Sequence, residues 1–279
     1  MRDILLHLLP AIASSLLYAV LGWHFWNTRW RKSDHSLASL PMQAWERIAI
    51  FLALATQAIG LQAGIFGAAD MHFSFSYALS MMCGLAVLIY WLESFRSRMD
   101  GLQPLVLPLA SLCAILPAVF PQVYVVTHPD AWAFKLHFIA AMLAYSLFTL
   151  SALHAVFMSF VERKLHHREL NKPLVCLPPI LTMETLLFQM ILIGFVLLTL
   201  TLGSGLLFSE MIFGKAFVFD HKTVFAFASW LIFAALLAGR RIYGWRGRIA
   251  LRWTLAGFLS LLLAYIGSRF VLEVLLGRF

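Results

Sequence analysis

Charge is scarce in this chain. Only 12% of its 279 residues are Asp, Glu, Lys or Arg, against about 25% in a soluble domain. Hydrophobic residues make up 62%, and the mean hydropathy is +0.85. Long polar stretches are missing too. Every segment between apolar runs is far shorter than the about 50 residues that a separate soluble domain needs. Cysteine is rare, with Cys83, Cys113 and Cys176 in or beside apolar segments and no CxxC spacing. That excludes a disulfide framework or a thiolate metal site and leaves small core residues. Glycine-rich phosphate loops are absent, as are HExxH, EF-hand and di-iron patterns and any Ser/His/Asp or Cys/His arrangement for covalent catalysis. A transporter built on paired broken helices is disfavoured, because only one apolar run is heavily interrupted by proline.

What is there is a series of apolar runs about 20 residues long, the length a bilayer core requires. Eight are expected, at about Ile4 to Trp26, Trp45 to Phe66, Phe75 to Phe95, Pro104 to Val126, Lys135 to Val161, Met183 to Leu207, Lys222 to Tyr243 and Leu251 to Leu276. The first is long enough to span and has its basic flank behind it, so it reads as a span, not a cleaved leader. Pro108, Pro117 and Pro121 predict kinks or a break in the fourth. The expected fold is all-α, a polytopic transmembrane helix bundle forming one integral membrane domain over residues 1–279.

The net charge of +8 and pI of 9.7 could suggest a nucleic-acid partner. The basic residues instead crowd the loops after the first, third, fifth and seventh runs: Arg29, Arg31 and Lys32; Arg96 and Arg98; Arg163, Lys164, Arg168 and Lys172; Arg240, Arg241, Arg246 and Arg248. This is the positive-inside signature, so no nucleic acid is expected and both termini are predicted outside.

The histidines then sort by depth. His35, His166 and His167 fall in cytoplasmic loops, and His7 and His128 are outer without distinguishing context. His72 precedes the third run, His137 sits near the outer end of the fifth, and His221 opens the seventh. His24 lies near the inner end of the first. His154, 17 residues after His137, is about 25 Å farther along the helix and near the inner face. His137 and His221 therefore share a depth on two helices, where two imidazoles can hold a haem, or a transition metal with further ligands. Phe213, Phe217, Phe219, Phe225, Phe227 and Trp230 suit a flat macrocycle, or form an interfacial aromatic belt. His24 and His154 could make a second, inner pair, or simply hydrogen-bond to neighbouring helices. Asp220 reads as an N-cap and Lys222 as a snorkelling side chain. Arg269 and Glu273, four apart, form an intrahelical ion pair, or Arg269 faces a haem propionate.

Three segments carry a family resemblance: KLHFIAAMLAYSLFTLSALHAVF, FDHKTVFAFASWLIFAALLAGRR and WRGRIALRWTLAGFLSLLLAYIG. Over residues 133–276 the chain resembles the cytochrome c assembly superfamily of membrane haem-handling proteins, the CcsA, ResC and CcmC group. It is most like the HemX-like and YpjD-like inner-membrane branch. His137 falls on the family's first external histidine. The second segment resembles the WDPKETWAF…W signature, with Phe219 and Phe225 at its tryptophans, Asp220 and Lys222 matching, and His221 replacing the proline. The preceding loop, LGSGLLFSEMIFGKAFVF, lacks the family's tryptophans and its second external histidine.

The resemblance implies a multi-pass protein of the bacterial inner (plasma) membrane that binds haem b non-covalently. His137 and His221 would be the metal ligands, with His72, His24, His154 and Arg269 as further cofactor-binding candidates. It implies a haem carrier, not an enzyme, and the missing tryptophans argue against delivery to apocytochrome c. Haem and membrane lipid are the expected partners. The alternative is a structural or regulatory subunit that partners another membrane protein and keeps a degenerate haem pocket.

Overall fold

A computed structural model describes residues 2–31, 42–66, 71–95, 101–121, 124–125, 132–166, 180–207 and 221–264. Among them are eight helices: α1 (Arg2–Phe25), α2 (Ala44–Phe66), α3 (Phe75–Glu93), α4 (Gln103–Val119), α5 (Trp132–His166), α6 (Ile180–Leu207), α7 (His221–Tyr243) and α8 (Arg248–Leu262). A π-helical stretch, Trp26–Arg31, extends α1. Six segments are long and apolar enough to cross a membrane: Leu8–Arg31, Ala44–Phe66, Phe75–Glu93, Trp132–Arg163, Ile180–Leu207 and Lys222–Tyr243. Helix is the form such sequences must take, because lipid cannot satisfy a backbone N–H or C=O. The polar side chains follow the same rule. The hydroxyls of Thr56, Ser146, Thr149, Ser151, Thr185, Thr199, Thr201 and Thr254 all donate to the carbonyl four residues back.

The helices alternate in direction and form two groups. In the first, α1 packs on α2 and α4, and α3 on α2 and α4; in the second, α5 packs on α6 and α8, and α7 on α6 and α8. The α3–α5 contact joins them. Close approach in the first group depends on glycine facing proline. A β-carbon at Gly22 would lie 2.9 Å from Cγ of Pro108, and one at Gly60 would lie 3.0 Å from Cβ of Pro10. A buried chain of polar groups crosses the same group. The Tyr18 hydroxyl donates to Gln57 Oε1 at 2.9 Å, and Gln57 Nε2 donates to the Ser80 carbonyl at 2.9 Å. Cys83 and Cys113 are buried there as free thiols, while Cys176 lies outside the described residues.

The fourth apolar run breaks, as its prolines predict, and so ends short of its expected bound. Pro108 and Pro117 are carried inside α4, but the helix stops at Val119 instead of continuing to Val126. Pro121 is the reason: it lacks an N–H and disfavours helical backbone in the residue before it. Phe120 accordingly leaves the helix at φ −120° and ψ 78°. Tyr124–Val125 then pairs antiparallel with His72–Phe73, His72 opposite Val125. The end of that run is therefore a short strand pair at the same end of the bundle as the start of α5.

Candidate functional site

His137 stands in the second turn of α5, half-buried against the last turns of α6. Its Nδ1 lies 2.9 Å from Ser204 Oγ. The Ser204 hydroxyl donates to the carbonyl of Thr201 at 3.0 Å. A hydroxyl has one proton, so with that proton on Thr201 the serine oxygen can only accept from the ring. The Thr201 carbonyl also accepts a hydrogen bond from the His137 ring. Gly205 lies beside the same ring; a β-carbon there would sit 3.5 Å from His137 Cε1.

His221 is the first residue of α7. Its side chain lies outside the described part of the structure, as do Asp220, Arg269, Glu273 and the loop of residues 208–220. Its level in the bundle follows from contacts deeper in the helix. The rings of Phe148 in α5 and Phe233 in α7 stack with centroids 3.9 Å apart. This stack sits between two bare backbones, since a β-carbon at Gly194 would lie 3.1 Å from the Phe148 ring and one at Gly257 2.8 Å from the Phe233 ring. At 1.5 Å rise per residue, His137 lies about 16 Å above the stack and His221 about 18 Å above it. A second anchor, Trp230 Nε1 to Thr199 Oγ1 at 2.9 Å, gives the same answer to within about one helical turn.

The remaining histidines are held by different partners. His72 is half-buried in the strand pair, next to Phe73, whose ring meets Phe138 of α5 edge-on at 5.1 Å. It therefore belongs to the same end of the bundle as His137. His24, near the end of α1, has Nε2 3.0 Å from Glu46 Oε1 of α2. A carboxylate only accepts, so Nε2 is protonated. His154 is buried at 3% exposure, with Nε2 3.0 Å from the Met183 carbonyl of α6. Here too the acceptor is a carbonyl, so Nε2–H donates. Nδ1 keeps its lone pair, buried with no hydrogen-bond partner among the described residues. His24 and His154 thus face α2 and α6 respectively. His35, His128 and His167 lie outside the described residues.

The cytochrome c assembly protein family profile matches residues 42–276. The chain belongs to the cytochrome c assembly family. It is 30% identical over 239 residues to the inner membrane protein YpjD of Escherichia coli K12, covering 83% of this chain and 89% of YpjD. It is 43% identical over 89 residues to the cytochrome c biogenesis protein CcsA of Prochlorococcus marinus MIT 9301, covering 32% of this chain and 29% of that protein. This family member is a multi-pass protein of the bacterial inner membrane.

Three polar partners in this family member were not singled out in the linear chain. Ser204 is 67 residues from His137. Glu46, buried, accepts from His24, from Arg29 Nη2 at 3.4 Å and from the Gln43 backbone N–H at 2.7 Å. Glu184, also buried, accepts from the Gly247 backbone N–H at 2.6 Å and from Arg240 Nη1 at 3.5 Å, which ties the α7–α8 connection to α6. Two cues could have marked the carboxylates: each opens a span, and each is an acid inside otherwise apolar sequence, where an ionisable group needs a partner. Nothing comparable marks a serine.

Proposed function

We propose that this protein holds b-type haem non-covalently near the outer face of the membrane, with His137 and His221 as the two axial imidazoles. The observation that carries the reading is the place of His137, hydrogen-bonded to Ser204 at the level where α7 begins with His221. The donor set suits a macrocycle. Among the described residues no group of three or more His, Cys, Asp or Glu could enclose a metal ion. A metal held there needs equatorial donors of its own, and a porphyrin brings four. Bound haem would supply one-electron iron chemistry. The chain's part is to hold and orient. His137 and His221 would hold the iron as neutral imidazoles, and two such ligands would leave no site open to oxygen. Lys135, two residues before His137, and Lys222, one after His221, are proposed as cations for the propionates. Arg269 in the last span is proposed for the same task.

The outer assignment is supported by the basic loops, whose clustering at the opposite end of the bundle is the mark of a cytoplasmic side. His72 is the reserve ligand, since Phe73 touches Phe138 next to His137. A second haem between His24 and His154 draws support from the orphaned Nδ1 of His154. The role is haem handling without chemistry of its own. The competing reading, a structural or regulatory subunit of another membrane complex, is favoured by the absence of tryptophan from residues 202–219.

The test is the absorption spectrum of detergent-purified protein, oxidised and reduced. A Soret band that survives washing is expected, low-spin in the wild type. His137→Ala and His221→Ala should each lose haem or turn it high-spin, whereas His128→Ala should do neither. A low-spin spectrum unchanged in both variants overturns the ligand assignment, and a colourless wild type favours the subunit reading.

A further inference from the structure

We propose that the turn joining α7 to α8 binds the phosphodiester headgroup of an anionic phospholipid, held by Arg241, Arg246 and Arg252. The site stands apart from the haem reading.

The turn follows directly on a span. α7 is long and apolar enough to cross a membrane as far as Tyr243, so residues 244–248 come at the level of the lipid headgroups. Its backbone is fixed. Gly244 and Gly247 take φ values of +66° and +55°, which residues with a β-carbon rarely adopt. The Trp245 N–H donates to the Gly239 carbonyl at 3.2 Å, and the Gly247 N–H to Glu184 of α6 at 2.6 Å. The Trp245 ring packs on the bare backbone of Gly239 and meets the rings of Tyr243 and Trp253, at centroid distances of 6.2 and 5.2 Å.

Five arginines stand on this turn and its flanks, and they are of two kinds. Arg240 and Arg248 have partners. Arg240 Nη1 donates to Glu184 and to the Trp245 carbonyl, and its guanidinium lies 4.5 Å over the Phe188 ring. Arg248 pairs with Glu162 at 3.0 Å. Arg241, Arg246 and Arg252 are exposed and have no hydrogen bond or ion pair among the described residues. Both carboxylates that reach the turn are thus taken, and three guanidinium charges are left over. Arg252 also stands four residues after Arg248 on one face of α8, a like-charge spacing that is unfavourable without an anion nearby. A phosphodiester supplies that anion, and its oxygens match a guanidinium bidentately.

The neighbouring surface favours a lipid over a free anion. Ile242 and Tyr243, next to Arg241, are 70% and 74% exposed, and Ile249, next to Arg248, is 47% exposed. Apolar side chains beside the cations offer acyl chains a contact that a soluble phosphate cannot use. Tyr243, Trp245 and Trp253 are of the residue types that settle at the headgroup level of a bilayer.

The test is native mass spectrometry of the full chain in mild detergent, titrated with phosphatidylglycerol or with phosphatidylcholine of the same acyl chains. The wild type should hold phosphatidylglycerol more tightly. Arg241→Gln, Arg246→Gln and Arg252→Gln should each weaken it about fivefold, and the triple variant should hold the two lipids equally. Arg31→Gln removes one exposed arginine outside the turn and should leave the preference unchanged. Glycerophosphoglycerol, the headgroup without its chains, should not displace the bound lipid.

Equal retention of the two lipids by the wild type overturns the proposal with no variant needed. So does a triple variant that keeps the preference. An equal loss in Arg31→Gln also overturns it, because diffuse charge and not this turn then attracts the lipid. Displacement by glycerophosphoglycerol or inorganic phosphate overturns the lipid assignment in favour of a soluble anion.

Discussion

The ion pair between Arg29 and Glu46 should be worth far more to stability than the shorter one between Arg248 and Glu162. Arg29 Nη2 is 3.4 Å from Glu46 Oε2, and the two side chains are 6% and 4% exposed. Arg248 Nε is 3.0 Å from Glu162 Oε1, but those side chains are 61% and 32% exposed. Distance alone favours the second pair; solvent reverses the order. Removing one partner of a buried pair strands a charge in low dielectric and costs about 3–5 kcal/mol, whereas an exposed pair contributes about 0–1 kcal/mol. Glu46→Met should therefore lower the folding equilibrium constant by more than about a hundredfold, and Glu162→Gln by no more than about fivefold. The double change Arg29→Met with Glu46→Met should recover part of the loss, because the buried positive charge is removed together with its carboxylate. His24 would lose its acceptor but keep its edge contacts with Phe25 and Trp45, at 5.4 and 4.8 Å. The assay is reversible unfolding in mild detergent by titration with a denaturing detergent, followed by tryptophan fluorescence. Equal losses for Glu46→Met and Glu162→Gln, or a double variant weaker than both singles, would refute the reasoning.

Two further outcomes follow from the site and the topology. A reporter fused after Phe279 should report the outer compartment; a cytoplasmic signal means an inverted orientation or a span count wrong by an odd number. If His24 and His154 hold a second haem, changing both to Ala should lower the haem-to-protein ratio measured by pyridine haemochrome, and an unchanged ratio assigns both residues to packing against Glu46 and the Met183 carbonyl.

The reading of His137 shows where sequence stops. The chain placed it near one end of the fifth apolar run, and family resemblance marked it out from nine other histidines. Its hydrogen-bond partner is a serine 67 residues away in another helix. His154 makes the same point from the other side. Its depth was legible at 17 residues beyond His137, but its partner, the Met183 carbonyl, is a backbone group that any residue type would provide. One sequence expectation, the bound of the fourth run, met resistance from local chemistry: the break its prolines predicted fell before Pro121, and Tyr124–Val125 joined His72–Phe73 in a strand pair.

What the amino-acid sequence determined by itself was which segments are helices. Every backbone polar group in lipid must be satisfied within its own segment, so length and hydropathy suffice to mark them. The family and the sidedness of the basic loops were equally linear properties. Only the tertiary structure decided which helix faces meet. Lipid is as apolar as leucine, so a helix here can be apolar all round and its sequence periodicity does not declare its buried face. The stacking of Phe148 on Phe233, the seating of His137 on Ser204 and Gly205, and the pairing of Glu46 with Arg29 and His24 were therefore settled by packing and hydrogen bonding between helices distant in the chain.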